Sequence, residues 1–339
     1  MCDLRRSLLR RLLATTLVGT TLLAGCTAPG TSSDELQVSD TVTAAGPATS
    51  PTTSQPAGTV LPARGNVTAV AVDPRTRTLA VAGDQPTIWL YQLDNLTADP
   101  KALALPGTTT AMTVTSTGLT VSLGSAQQIA EVSLPDARVT SLPVTGVAAG
   151  ATQDGDQTLV ALSDRKAIDV VRGGRQERQI SGGLYSADAV VTVGQHAVVL
   201  DRHRTAVFDV DVSAGKIGAG QRAGRGATNA VVDRFGRVLV TDTRGGALLA
   251  FTVNPVILRQ NYPVPGAPYG IAYDPKRDLA WVTLTERNEV VGYNVAGGEP
   301  VEKFRFATVV QPNSVTVDPD SGRVFVASAT GGGVQVMQP

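Results

Sequence analysis

Two histidines, two cysteines and a recurring acid–arginine doublet are the side chains from which this 339-residue sequence would have to build any chemistry. The doublet falls four times: Asp164 with Arg165 in "SDRKA", Asp201 with Arg202 in "LDRHRT", Asp242 with Arg244 in "TDTRGGA", and Glu286 with Arg287 in "TERNE". Acids and bases at corresponding points of a repeat are either solvated surface pairs of small energetic weight or a polar ring for a ligand or partner with both charge signs. Asn229, Tyr269 and Asn313, near the starts of strands in the same repeats, would add neutral contacts to that face. His203 belongs to it as well, but the charges of Arg202 and Arg204 beside it disfavour its protonation and make it a weak general base. His196 follows a Gly-Gln step and reads as a turn residue.

Reaction motifs do not occur: there is no Gly-x-Ser-x-Gly elbow, His-Glu-x-x-His, Cys-x-x-Cys or Gly-Lys-Ser/Thr phosphate loop. "GAGQRAG" at 218 is one residue too long for a dinucleotide fingerprint. Asp73, Asp274 and Asp318 each precede proline, which suits a turn whose carboxylate binds backbone amides better than a metal site. Trp89, Trp281, Tyr91 and Tyr293 alternate with polar residues and suit packing between elements more than ligand stacking. No catalytic residue, metal ligand or cofactor is therefore expected from motifs.

These side chains need a scaffold, and beyond Leu61 the chain repeats one. "VTAVAVDPRTRTLAVAG" at 67, "ATNAVVDRFGRVLVTD" at 227, "PYGIAYDPKRDLAWVT" at 268 and "PNSVTVDPDSGRVFVAS" at 312 each pair two apolar strands around a turn. Weaker copies begin at 110, 150 and 186, and the turn residues Asp73, Thr115, Asp154, Thr192, Asp233, Asp274 and Asp318 lie 42, 39, 38, 41, 41 and 44 positions apart. A unit of about 40 residues made of short strands is a four-stranded propeller blade. The sequence thus predicts an all-β, seven-bladed β-propeller over 58–339. The seventh unit stops at Pro339 without an outer strand, and "GTVLPA" at 58–63 has that strand's character, so it is expected to pair with the last blade and close the ring. A pair of stacked β-sheets is the competing architecture, disfavoured by the equal periods.

The N-terminal part reads differently. "MCDLRRSLLRR" is followed by an apolar run too short to span a bilayer comfortably, the layout of an export signal over 1–25. Leu23-Ala24-Gly25-Cys26 resembles the lipobox of bacterial lipoproteins; that implies cleavage before Cys26 and an acyl chain such as palmitate on its thiol, with an ordinary signal peptide and incidental cysteine as the alternative. Residues 26–57 are rich in Thr, Ser, Pro and Ala, and are expected to form a disordered tether. Without 1–25 the chain has 25 basic and 28 acidic residues, which gives no reason to expect nucleic acid as a partner.

Trp-Asp and Gly-His landmarks of WD40 repeats are missing, and the Gly-Gly pairs fall at no regular blade position as kelch repeats require. "NSVTVDPDSGRVFVAS" and "YGIAYDPKRDLAWVT" resemble the YVTN or NHL class of bacterial surface propellers. "RVLVTDTRGGALLAF", "NPVILRQNYPV", "APYGIAYDP", "PVEKFRF" and "QPNSVTVDP" are similar to the LppL-type lipoproteins of actinobacteria, most closely across the last three units. The resemblance implies an extracytoplasmic lipoprotein held on the bacterial cell membrane through acylated Cys26. It implies no reaction. The expectation is a non-enzymatic binding or scaffold module for a cell-envelope protein or polymer. The alternative is a metal-dependent lactonase or related sugar-acid hydrolase, since propellers of that class hold Ca or another divalent cation over the channel; Asn229, Asn313, Asp188 and Asp201 would converge there.

Overall fold

The computed structural model describes residues 42–339, so the expected signal, Cys26 and the first part of the expected tether lie outside the described residues. Seven sheets of four antiparallel strands are arranged as the blades of a propeller, and within each sheet the strands run in sequence order from the innermost outward. The exception is the last blade, in which strand Thr59–Leu61 lies outside Val334–Met337 and pairs with it antiparallel. This is the expected closure. It joins the beginning of the domain to its end and leaves no blade short of an outer strand.

Burial explains why the strands read as they do. Middle strands are covered on both faces by neighbouring blades, and Thr78–Gly83, Gly118–Leu123 and Leu279–Leu284 are buried at every position. They consequently appear as nearly continuous apolar runs instead of alternating ones. Outer strands such as Arg175–Ser181 and Val301–Ala307 are mostly exposed, which accounts for their charge. The described residues form seven apolar clusters, one between each pair of adjacent blades. Each blade is therefore half of two cores, and the ring is a chain of interfaces around a channel.

Aromatics fill those interfaces. Trp281 is 1% exposed and stacks on Phe304 and Phe306 at 5.7 and 6.3 Å between ring centroids. Gly292 opposite it leaves the needed space, since a Cβ there would lie 2.9 Å from the indole. Tyr91 and Tyr293 are buried as well, in agreement with the packing role expected for them, while Trp89 is half-buried under the Arg64 guanidinium.

The Asp-centred turns between first and second strands gather on one face of the ring, here the turn face. Asp73, Asp233, Asp274 and Asp318 are buried there and accept from amides two to four residues onward. Arginines complete the shells: Arg75 on Asp73, Arg237 on Asp233, Arg277 on Asp274 and Arg77 on Asp318, at 2.7–3.1 Å. Arg77 belongs to the first blade and Asp318 to the last, so that pair also bridges the closure. Burial alone would raise the Asp318 carboxyl, but the Ser321 hydroxyl, the Asp320 amide and Arg77 outweigh it and hold its pKa below the usual range.

Candidate ligand and partner face

The opposite face collects the starts of the innermost strands and the loops between second and third strands. Five innermost strands carry a register shift in their first turn: between Val67 and Ala69, Ala148 and Gly150, Ala227 and Asn229, Pro268 and Ile271, and Pro312 and Ser314. A bulge at that point turns a side chain out of the blade toward the mouth of the channel. Thr68, Tyr269 and Asn313 sit within these shifts. Tyr269 and Asn313 are expected on this face from their place at the strand starts; Thr68 is not, because a bulge adds one residue without changing the apolar pattern around it.

The mouth opens into a cavity of about 640 Å³ whose lining includes Asn66, Asp188, Arg202, Asn229, Tyr269 and Asn313. It continues into a second cavity of about 520 Å³ lined by Val70, Val72, Met112, Val191, Ile271 and Val317. The two share Met112, Thr113, Val190, Val191 and Ala230, so the channel passes from a polar mouth to a less polar half that reaches Pro74 and Pro319 at the turn face. Asn229 Nδ2 donates to the Tyr269 carbonyl at 3.0 Å, and Thr241 Oγ1 donates to the same oxygen at 2.8 Å, tying the fifth blade to the sixth. Gly270 permits the sixth blade's approach to the seventh, since a Cβ there would meet the Asn313 carbonyl at 2.8 Å.

The four acid–arginine doublets divide. Asp201 and Asp242 are buried, and neither is paired with its neighbouring arginine among the described ion pairs. Asp201 Oδ2 accepts from the Tyr185 amide at 2.6 Å and its Oδ1 from the Arg204 amide at 2.8 Å. Asp242 accepts from the amides of Arg225, Gly226 and Gly245 at 2.7–2.9 Å. Asp164 Oδ1 takes the Val147 amide at 2.7 Å in the same way. In each case the carboxylate fastens the loop leading into its own blade, because those amides have no strand partner to satisfy them. The expectation of acid–arginine pairs facing solvent or a ligand is corrected for Asp201 and Asp242, whose buried carboxylates are spent on backbone amides.

The arginines bind carbonyls instead. Arg165 Nε donates to Thr145 O at 2.9 Å, Arg202 donates to Ala45 O at 2.5 Å, and Arg244 donates to Thr43 O and Ala44 O at 2.9 and 3.2 Å. Glu286, Arg287 and His203 are exposed on the same face. Of the residues expected to form the face, Arg202, Asn229, Tyr269 and Asn313 line the cavity; Asp164, Arg165, His203, Arg244, Glu286 and Arg287 lie around it. Asp188 lines the cavity with Asn229 and Asn313, whereas Asp201 is turned away into its loop.

The carbonyls gripped by Arg202 and Arg244 belong to a segment expected to be a disordered tether. From residue 42 to 57 the chain instead crosses this face as an extended strap. After Ala45, which is 2% exposed and whose Cβ packs over Gly226, the Ala48 amide donates to Thr285 Oγ1 at 3.0 Å. Gln311 then reads the strap with both ends of its amide: Nε2 donates to Ala48 O at 2.9 Å and Oε1 accepts from the Ser50 amide at 3.1 Å. Asn288 Nδ2 donates to Pro51 O at 2.8 Å, Ser54 Oγ donates to Thr308 O, and Gln335 Nε2 donates to Ala57 O at 2.7 Å. Low apolar content predicts disorder; side chains of the blades supply the ordering by bonding to main-chain groups, which sequence composition does not encode.

No protein-family model matches the chain, and no curated protein matches it in sequence. Solved structures match throughout the propeller. Hydrazine synthase of Kuenenia stuttgartiensis aligns at 17% identity with a TM-score of 0.69, covering 84% of this chain and 98% of that one. A chain of the mitotic checkpoint complex aligns at 10% identity with a TM-score of 0.73, covering 89% and 98%. Streptogramin B lyase aligns at 12% identity with a TM-score of 0.69, covering 83% and 95%. At these identities the likeness is one of fold: the chain is a seven-bladed β-propeller whose structural neighbours include both enzymes and members of protein assemblies.

Proposed function

We propose that this protein is a lipoprotein carried outside the bacterial cell membrane by acylated Cys26, and that its propeller is a non-enzymatic binding or scaffold module for a cell-envelope protein or polymer. The observation that carries this reading is the pairing of Leu23-Ala24-Gly25-Cys26 with a propeller that holds its own N-terminal strap across one face and leaves the other to a partner. Arg202, Arg244, Gln311 and Asn288 hold that strap by its carbonyls, which spends this face on the chain itself. Propeller neighbours found in assemblies, such as the mitotic checkpoint complex, support a scaffold. Labelling with a palmitate analogue tests the anchor: label on the wild type and none on Cys26→Ser is expected, and equal labelling overturns it. Crosslinking in intact cells followed by mass spectrometry tests the scaffold, which predicts one or a few recurrent envelope partners.

One observation favours a second reading, a metal-dependent lactonase or related hydrolase: Asp188, Asn229 and Asn313 line the same cavity, as a cation over the channel would require. Among the described residues no group of three His, Cys, Asp or Glu side chains is placed to hold a metal, so two amides would have to supply most of the ligation. A thermal-unfolding scan against calcium and a lactone panel separates the readings. A ligand at a hundred times its dissociation constant raises stability by about 2.7 kcal/mol, and such a rise would favour the hydrolase.

A further inference from the structure

We propose that the strap face docks on an anionic lipid surface, leaving the turn face to the partner; this rests on the lipid-anchor reading above. Two independent observations converge on it. The first is the path of the chain. Cys26 lies 16 positions before Val42, a stretch that spans at most about 55 Å whatever its conformation. Because the strap is bonded to Arg202 and Arg244, that stretch leaves the domain from the strap face. The turn face lies farther by the thickness of a blade, about 20 Å for strands of six or seven residues.

The second observation is charge. Arg165, Lys166, Arg225, Arg244 and Arg287 are exposed on the strap side of the third to sixth blades, against the exposed acids Asp164 and Glu286. None of these five cations is in an ion pair among the described residues. On the turn face most cations are paired: Arg75, Arg77, Arg234, Arg237, Lys276 and Arg277 each carry a carboxylate partner within 3.1 Å, while Arg138, Arg175 and Lys216 at that end are exposed and in no ion pair among the described residues. Guanidinium and ammonium groups left without a carboxylate partner are attracted to anionic headgroups within a Debye length of the surface. The strap itself has no charged residue from 42 to 57 and does not mask them.

The test uses the full chain, lipidated and reconstituted in vesicles of phosphatidylglycerol and phosphatidylcholine with a headgroup-borne quencher. A fluorophore is placed by Ser125→Cys on the strap side or by Glu299→Cys on the turn side, both exposed. Stronger quenching at 125 than at 299 is expected, falling toward equality at high salt, in vesicles of phosphatidylcholine alone, or with Arg165→Gln, Lys166→Gln and Arg225→Gln combined. Equal quenching in anionic vesicles at low salt, or stronger quenching at 299, overturns the proposal. Retention on the vesicles in high salt reports the acyl anchor separately. If that retention fails, the anchor reading falls, and docking is then read from low-salt binding alone. The triple variant should weaken that binding roughly a hundredfold, and an unchanged affinity overturns the proposal.

Discussion

Gln311→Ala should loosen the strap without loosening the propeller. The side chain makes two neutral hydrogen bonds to the strap, from Nε2 to Ala48 O and from the Ser50 amide to Oε1. Each contributes about 1 kcal/mol net, and water can reach the half-exposed strap to replace them, so the opening equilibrium shifts by about 2 kcal/mol, or roughly thirtyfold. The remaining clamps, Arg202, Arg244, Thr285, Asn288 and Gln335, are untouched. Hydrogen exchange reads this directly: the Ser50 amide should exchange roughly thirtyfold faster, while amides of the middle strands keep their protection. Gln311→Glu sharpens the test, because it keeps an acceptor for Ser50 but sets a carboxylate against Ala48 O and Asn313 Oδ1, where Nε2 now donates. It should release Ala48 more than Ser50. Unchanged Ser50 exchange in Gln311→Ala, or protection lost evenly through the blades, would refute the account of the strap as a separately clamped element.

Asp318→Ala, which leaves Arg77 without its interblade partner, should cost about 3 kcal/mol in denaturant unfolding, whereas Gly297→Ala, in open space, should cost under 1 kcal/mol. Because the folded Asp318 pKa is held below its unfolded value, its contribution is complete above about pH 5 and is lost as pH falls through the folded value; calorimetry should show Tm falling in acid, less steeply in Asp318→Asn. Trp281→Ala should cost about 3–5 kcal/mol from the cavity left beside Phe304 and Phe306. Trp281→Phe should cost clearly less, since the buried Nε1 has no hydrogen-bond partner among the described residues. Removing residues through Leu61 takes away the strand paired with Val334–Met337, and light scattering should show association through the edge thus opened.

The ring and its closure were legible because a blade repeats a chemical pattern at a fixed period: apolar middle strands, an Asp-capped turn, a charged outer strand. Asp73, Asp274 and Asp318 likewise announced their turns, since a carboxylate followed by proline satisfies amides within its own loop. The face was less legible. Asp201 and Asp242 stand beside arginines in the chain, yet their carboxylates turn to loop amides about 16 residues away, a choice made by burial and by donors that no local pattern displays. Asn229, Tyr269 and Asn313 were legible as strand-entry residues and all line the mouth, whereas Thr68, turned out by the bulge between Val67 and Ala69, was not. The strap is the clearest division between the two levels. Its Thr, Ser, Pro and Ala content limits its own apolar burial, and by itself specifies no structure. Order comes from Arg202, Arg244 and Gln311, 157 to 263 positions away, which meet its carbonyls only when the blades have closed into a ring. Periodic local chemistry therefore determined the fold, and the tertiary structure decided the face, because main-chain hydrogen bonding between distant segments leaves no trace in side-chain identity.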